Sequence, residues 1–489
     1  MYSKIRTINY KNELLAGLTV AMTMIPESLS FAILAGLTPL TGLYAAFLMG
    51  LITAIFGGRP AMVSGGAGAT VVVLIALAAL HGVQYLFAAI IIAGIIQILV
   101  GVLKWSQFVR LIPQPVMYGF LNGLAVIIFM AQVAQFQFDH DGVTKWLSGS
   151  TLYIMAGLTG LTIFIIWLFP KISKAIPPSL VAILVVFAVV YGFNIETKKV
   201  IDIASVSGSL PSFQIPNVPL TWETLMIVLP FSLVMAGVGL IESLLTLNIV
   251  DELTNTKGNT RRESIAQGAA NITNGFFGGM GGCAMVAQTL INLNSGSKSR
   301  LSGIIAALTI LLIILIGGPF IEQIPMAALV GVMMMVAIST FKWVSFGLIK
   351  RMPKGDIATL FIVTIIIIIT HNLAIAVLIG VIIASLMFAW NNAVRIQAET
   401  TIDKMGYKTY KISGPLFFGS CTHFSEKFTP LEDPDKIIID FAHSRIADMS
   451  AIETLRKIVN QYEAIGKTIT FNNLNKESWR LLKASKLFP

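Results

Sequence analysis

The sequence predicts a polytopic α-helical membrane protein followed by a small α/β domain. Three observations predict this class. Of the 489 residues 55% are hydrophobic and 12% are charged, with a mean hydropathy of +0.81. Apolar segments of membrane-spanning length fill residues 14–395, whereas short strand-like and amphipathic runs follow them. This composition excludes a soluble enzyme, and despite the net charge of +10 we expect no nucleic-acid partner.

The apolar part predicts fourteen spans, at about 20 residues for each crossing of the bilayer. We divide the chain into a transmembrane domain, residues 1–395, with halves at about 1–193 and 222–395, and a domain at residues 396–489. No cleavable signal is visible, so we expect the first span to be retained. Lysine and arginine concentrate in the even-numbered connections, which predicts a plasma (inner) membrane protein with both termini cytoplasmic.

Two glycine-rich stretches interrupt apolar sequence, at residues 56–73 and 275–292. Both contain Phe-Gly-Gly and then Ala-Met-Val. Because dense glycine destabilises a helix, we expect an extended segment in each, followed by a short helix from Ala67 in the first stretch and from near residues 283–286 in the second. Backbone N–H groups left unpaired at membrane depth need a partner, so the pair predicts a binding site. The alternative is close helix packing through small residues.

Two acidic residues lie within predicted spans. Glu27 follows Pro26, where we expect the first helix to break, and precedes Ser28. Glu242 and Thr246 are four residues apart and therefore share one face of the eighth span. An ionisable residue inside a membrane indicates function, most simply ion coupling; the alternative is a structural carboxyl bonded to backbone.

The sequence gives little support for a disulfide framework, a metal site or ATP-driven transport. The chain has two cysteines, Cys283 and Cys421, which predict no disulfide framework and are interpreted as small buried residues. His81 and His140 have no second ligand at metal-binding spacing, so we predict no metal and no cofactor. No G-x-x-x-x-G-K-[ST] motif occurs, which favours a secondary transporter over an ATP-driven one.

Several motifs recur together in one known family. They are Ile25-Pro26-Glu27-Ser28, Gly42-Leu43-Tyr44, Glu242-Ser-Leu-Leu-Thr246, Phe277-Gly-Gly, and two runs at residues 412–419 and 437–449. In combination they resemble the SulP family of anion transporters, and the last two runs resemble its C-terminal STAS domain. The resemblance implies a seven-plus-seven inverted repeat with two half-helices meeting at the midplane, and a homodimer. It also implies a small inorganic anion bound where the third and tenth helices meet. By position the substrate-binding residues would be Ala67, Gly68, Ala69, Thr70, Met285, Val286, Ala287 and Gln288.

The chain departs from the family pattern at positions that affect charge. Gln288 stands where many members have arginine and Glu27 where many have glutamine, so a divalent anion would need a cation or proton to enter with it. Val286 stands where a hydroxyl helps to bind sodium in the related bicarbonate transporters, and Glu242 replaces their aspartate. Both changes disfavour sodium.

These observations lead us to expect proton symport of sulfate, with Glu242, Thr246 and Glu27 as ion-coupling residues. Burial disfavours a charged carboxylate, and an arriving anion favours the neutral acid further, so proton and anion would bind cooperatively. Four alternatives stay open: sodium-coupled bicarbonate transport, carboxylate transport, proton-coupled nucleobase transport, and a non-transporting scaffold.

Overall fold

The computed structural model describes residues 9–105, 113–140, 143–173, 177–203, 210–370, 373–393, 396–403 and 406–485. The chain forms two compact units, Met1–Gly380 and Val381–Pro489. Helices dominate the chain before residue 394. In order they are α1 (Tyr10–Leu34), α2 (Pro39–Phe56), α3 (Gly68–His81), α4 (Val83–Val102), α5 (Gln114–Ala134), α6 (Gly149–Leu168), α7 (Pro178–Gly192), α8 (Trp222–Thr254), α9 (Thr260–Phe276), α10 (Val286–Asn294), α11 (Leu301–Ile316), α12 (Gly318–Glu322), α13 (Met326–Thr340), α14 (Val344–Leu348), α15 (Lys354–Thr370) and α16 (Leu373–Ala393).

Fourteen of these described helices have nine residues or more, as the sequence predicts, and only α12 and α14 are shorter. Within the described part of the chain, eight helical segments are both long and apolar enough to cross a membrane, and α3, α7 and α11 are shorter apolar helices. The third and tenth helices are short, with 14 and 9 residues, because the extended glycine-rich segments use part of their length.

The expected break in the first helix is wrong. Helix α1 runs without interruption through Pro26. A proline inside a transmembrane helix removes one hydrogen bond, but neighbouring helices and hydroxyl side chains compensate. In α1 the lost bond is the one to the Met22 carbonyl, and the helix packs against α2, α10 and α11.

Both glycine-rich stretches contain an extended segment before a short helix, as predicted. Strand β1 (Ser64–Gly65) precedes α3. A second short strand (Cys283–Ala284) precedes α10 and pairs with β1 in antiparallel register.

Between α5 and α6 the chain forms a hairpin that the sequence analysis missed. In chain order these strands are β2 (Gln137–His140) and β3 (Val143–Trp146) in the hairpin, and β4 (Cys283–Ala284) before α10.

The second unit contains an α/β fold. Its sheet has the order β5-β6-β7-β8, with β5 antiparallel to β6 and the other pairs parallel. Strands and amphipathic helices follow residue 395, as the sequence predicts, although the edge strand β5 was not expected. The elements are β5 (Gln397–Ile402), β6 (Lys408–Leu416), α17 (Cys421–Ser425), β7 (Lys436–Ile446), α18 (Met449–Glu463), β8 (Thr468–Asn472) and α19 (Lys476–Ala484). The domain boundary at residues 395 and 396 stays a prediction, because residues 394–395 lie outside the described chain.

A buried aspartate ties the elements of this unit together. Asp433 accepts hydrogen bonds from Tyr410 at 2.6 Å, from Tyr462, and from Thr429 at 3.1 Å, and forms an ion pair with Lys408. Burial alone would raise the pKa of Asp433, but the hydrogen bonds from Lys408 and the two tyrosines outweigh burial and hold its pKa below the ordinary value. The charged form of Asp433 therefore stabilises the folded unit.

We expect Asp433→Asn to destabilise this unit by about 3 kcal/mol, because it leaves Lys408 without its ion pair. Hydrogen exchange of the full-length protein should show about a hundredfold loss of protection in β7 at pH 7. Because the folded pKa is depressed, the wild-type contribution is present above about pH 4 and is lost as the pH falls through the folded pKa. Equal protection in wild type and variant would contradict this role.

Candidate functional site

The two interrupted helices meet where β1 pairs with β4. Ser64 lies opposite Ala284, and Gly65 lies opposite Cys283. The pairing extends to Met285, which donates its N–H to the Val63 carbonyl at 2.9 Å, and the Val63 N–H in turn bonds to the hydroxyl of Thr289 on α10 at 3.0 Å. We call this β1–β4 pair the crossing. Helices α3 and α10 both begin within three residues after it.

Amide side chains on neighbouring helices fix the crossing. Asn271 on α9 bonds to both backbone groups of Gly282, at 2.9 and 3.0 Å, and donates to Gln97 of α4 at 2.9 Å. Gln267, one turn earlier, donates to the Ser64 hydroxyl at 2.8 Å. The sequence analysis missed all three amides, although fully buried amide side chains in membrane helices are themselves a signal that backbone needs partners.

Backbone N–H groups are free where the two short helices begin. Among the described residues, no acceptor bonds to the N–H of Gly68, Ala69, Val286, Ala287 or Gln288. The first N–H groups of a helix carry partial positive charge and suit an anion.

The other predicted residues at these helix starts contribute differently. Ala67 is the residue that precedes α3, and its carbonyl accepts the Thr70 N–H at 3.2 Å. The N–H of Met285 is bonded to Val63, so neither Thr70 nor Met285 offers a free N–H.

Helix α1 brings an acidic side chain to the start of α10. Gln288 donates its side-chain amide to the carboxylate of Glu27, and both residues are buried. Ser28 is fully buried, and its hydroxyl has no hydrogen-bond partner among the described residues. Phe31 packs against Gly68 at the start of α3, at a position where a Cβ would lie 2.3 Å from the ring. A larger residue at position 68 would therefore force the Phe31 ring to move.

The second acidic side chain comes from α8. Glu242 is half-buried and accepts a hydrogen bond from the thiol of Cys283 at 3.0 Å. Ser243 accepts the Ala284 N–H at 3.1 Å, so α8 holds β4 through two adjacent residues. Thr246 is fully buried and lies on the same side of α8, but its hydroxyl donates to the backbone carbonyl of Glu242 at 2.8 Å rather than to the carboxylate. The structure thus gathers Glu27, Glu242 and both helix starts around one crossing.

Comparison with known proteins places this arrangement in a family. The family model described as "Sulfate permease family" matches residues 10–364, and the STAS domain model matches residues 397–489. The chain is 40% identical over 476 residues to the "Putative sulfate transporter YbaR" of Bacillus subtilis (strain 168), covering 97% of each. It is 27% identical to the "Bicarbonate transporter BicA" of Picosynechococcus sp., covering 99% of this chain and 92% of that protein.

Solved structures agree with the fold. The transmembrane domain of a cyanobacterial BicA matches 78% of this chain and 98% of its own, with a TM-score of 0.65 and 28% identity. SLC26A9 matches 99% of this chain and 88% of its own, with a TM-score of 0.82 and 17% identity, which shows the fold alone. The protein is a multi-pass membrane transporter with a C-terminal STAS domain. It belongs to the sulfate permease family of anion transporters and is not an enzyme.

Proposed function

We propose that this protein carries a small inorganic oxyanion across the plasma (inner) membrane, with sulfate as substrate and protons as the coupling ion. The observation that supports this most directly is the set of free N–H groups at the starts of α3 and α10, next to a carboxylate on each side. Two helix N-termini together supply about one positive charge, which suits an oxygen-rich anion. Membrane orientation with cytoplasmic termini, and a homodimer, belong to the same proposal.

The two carboxyl groups make proton coupling the natural mechanism. A divalent anion cannot enter beside two ionised carboxylates without severe repulsion, because charges interact strongly away from water. When Glu27 is neutral, uptake of a proton by Glu242 leaves the site positive through its helix N-termini, and the site then accepts the anion. By reciprocity, a bound anion favours protonation of the same groups. Proton and anion then cross together.

An uptake panel in proteoliposomes tests the proposal. We expect an inward proton gradient to drive accumulation of radiolabelled sulfate, up to about tenfold for each coupled proton and pH unit when no membrane potential opposes it. Uracil and a dicarboxylate should not compete. If no inorganic anion moves or competes, the proposal is wrong; uracil competition would instead support a nucleobase transporter.

Bicarbonate is the second candidate, because two similar proteins bear the name BicA. The two candidates differ in charge as well as size: a monovalent anion needs only one of the two carboxyl groups to be neutral. Labelled bicarbonate in the same panel, with and without a sodium gradient, separates them. Accumulation of bicarbonate that requires sodium would replace the sulfate proposal.

Cys283 offers a further test, because its thiol holds one oxygen of the Glu242 carboxylate. We expect Cys283→Ala to leave the protein folded but to lower sulfate uptake about tenfold and shift its pH optimum, since a hydrogen bond to a charged group contributes about 1.5–3 kcal/mol. Cys283→Ser retains a donor and should restore most of the activity. An alanine variant with the wild-type pH profile would remove Cys283 from this role.

A further inference from the structure

A second site lies away from the crossing, at the end of the bundle where α2 ends and α9 begins. It is an open cavity of about 610 Å³. Its lining combines the apolar side chains of Phe56, Ile265 and Ala269 with the basic side chains of Arg261 and Arg262. An apolar wall joined to two guanidinium groups matches a molecule with a fatty chain and an anionic head.

The arginines of this cavity have unused hydrogen-bond donors. Arg262 uses its Nε to cap α2 by donating to the Phe56 carbonyl at 2.8 Å, while Arg300 bonds to the carbonyls of Ala54 at 2.8 Å and Gly57 at 2.6 Å. No acceptor among the described residues bonds to the terminal amino groups of Arg262 or to Arg261, and both arginines are exposed. The buried Glu263 attracts Arg262 and Arg300 electrostatically, but its oxygens accept hydrogen bonds from the Gly58 N–H and the Gln267 amide and from neither arginine.

Neighbouring residues place the cavity at the level of lipid headgroups. Helix α4 packs against α9 here, because a Cβ at Gly101 would lie 2.8 Å from Ile265. Lys104 and the exposed Trp105 follow directly after the apolar helix α4, which ends at Val102. Tryptophan and lysine at the end of an apolar helix are typical of the membrane interface, and basic residues collect on the anionic cytoplasmic side. Phe56 is 59% exposed, in a position where lipid would cover it.

We propose that this cavity binds one anionic phospholipid. Its phosphate lies between Arg261 and Arg262, which offer forked donors suited to phosphate oxygens, and one acyl chain lies along Phe56, Ile265 and Ala269. The lipid contacts the same helix, α9, whose opposite face holds the crossing strands through Gln267 and Asn271. The site is independent of which anion the protein carries.

Native mass spectrometry of the full-length protein tests this site, with phosphatidylglycerol titrated against phosphatidylcholine. We expect one phosphatidylglycerol to be retained preferentially. Arg261→Gln should weaken its retention about fivefold, the effect of removing one basic contact. Ala269→Trp should abolish retention by filling the apolar side while keeping both arginines.

Two matched variants serve as controls. Arg351→Gln removes an exposed arginine elsewhere, and Ala156→Trp adds the same bulk to the exposed face of α6; both should retain the lipid as the wild type does. The proposal fails if phosphatidylcholine binds equally well, if Arg351→Gln weakens retention as much as Arg261→Gln, or if inorganic phosphate displaces the lipid, which would indicate a soluble anion. If Arg261→Gln does not fold, the two tryptophan variants decide the question.

Discussion

Glu242→Gln is expected to abolish proton-driven accumulation of the anion while leaving anion binding in place. Glutamine has nearly the same shape and retains an oxygen that accepts the Cys283 thiol bond, but it takes up no proton in the transport cycle. A permanently neutral side chain resembles the protonated state, which in the proposed mechanism is the state that admits the anion. The variant should therefore exchange labelled for unlabelled substrate across the membrane without concentrating it.

The measurement compares the two activities in the same proteoliposomes. Wild type should accumulate substrate under an inward proton gradient, and Glu242→Gln should show only counterflow. Glu252→Gln is the matched control, because Glu252 is exposed on the same helix, α8, and should accumulate as wild type does. Proton-driven accumulation by the Glu242 variant would mean that another residue couples the proton. Accumulation that requires sodium and ignores the proton gradient would mean that sodium is the coupling ion.

The helix starts at the site follow from local sequence, and the structure confirms them. Glycine-rich sequence between apolar runs predicts an interruption wherever it occurs, so the starts of α3 and α10 could be placed within about three residues. The repeated Ala-Met-Val was less informative. Ala61 precedes β1, whereas Ala284 lies within β4, so the two copies do not occupy equivalent places. Two copies of a short sequence motif can adopt different local structures because the contacts of their flanking residues differ.

The partners across the site could not be predicted from sequence. Asn271 contacts Gly282 and Gln97, and Gln288 contacts Glu27, which are 11, 174 and 261 residues apart, respectively. Helical periodicity defines which residues share a face, but not which other helix that face meets. The same limit explains Thr246, whose place on the face of Glu242 was predicted correctly, although its hydroxyl bonds to backbone instead of the carboxylate. Helical periodicity predicts the face of the helix on which a residue lies, whereas the packing of the helices decides which residue it contacts.

Gly282→Ala is expected to separate the crossing strands and to remove most of the anion affinity. A Cβ at this position would lie 1.9 Å from the Gly65 carbonyl oxygen, which is backbone and has no side-chain freedom to yield. Gly282 itself is held on both backbone groups by Asn271. Since neither strand can retreat cheaply, β1 must move away from β4 and carry the start of α3 with it.

Overpacking of this kind costs about 1–3 kcal/mol, so anion affinity should fall between about fivefold and more than a hundredfold. Equilibrium binding of the labelled anion to purified protein measures this affinity. Gly157→Ala is the matched control, because a Cβ at Gly157 on α6 meets nothing within 4 Å and should leave affinity unchanged. Thermal unfolding of both variants separates lost binding from lost folding. Wild-type affinity in a folded Gly282→Ala protein would mean that the anion does not need the two helix starts held together at the crossing.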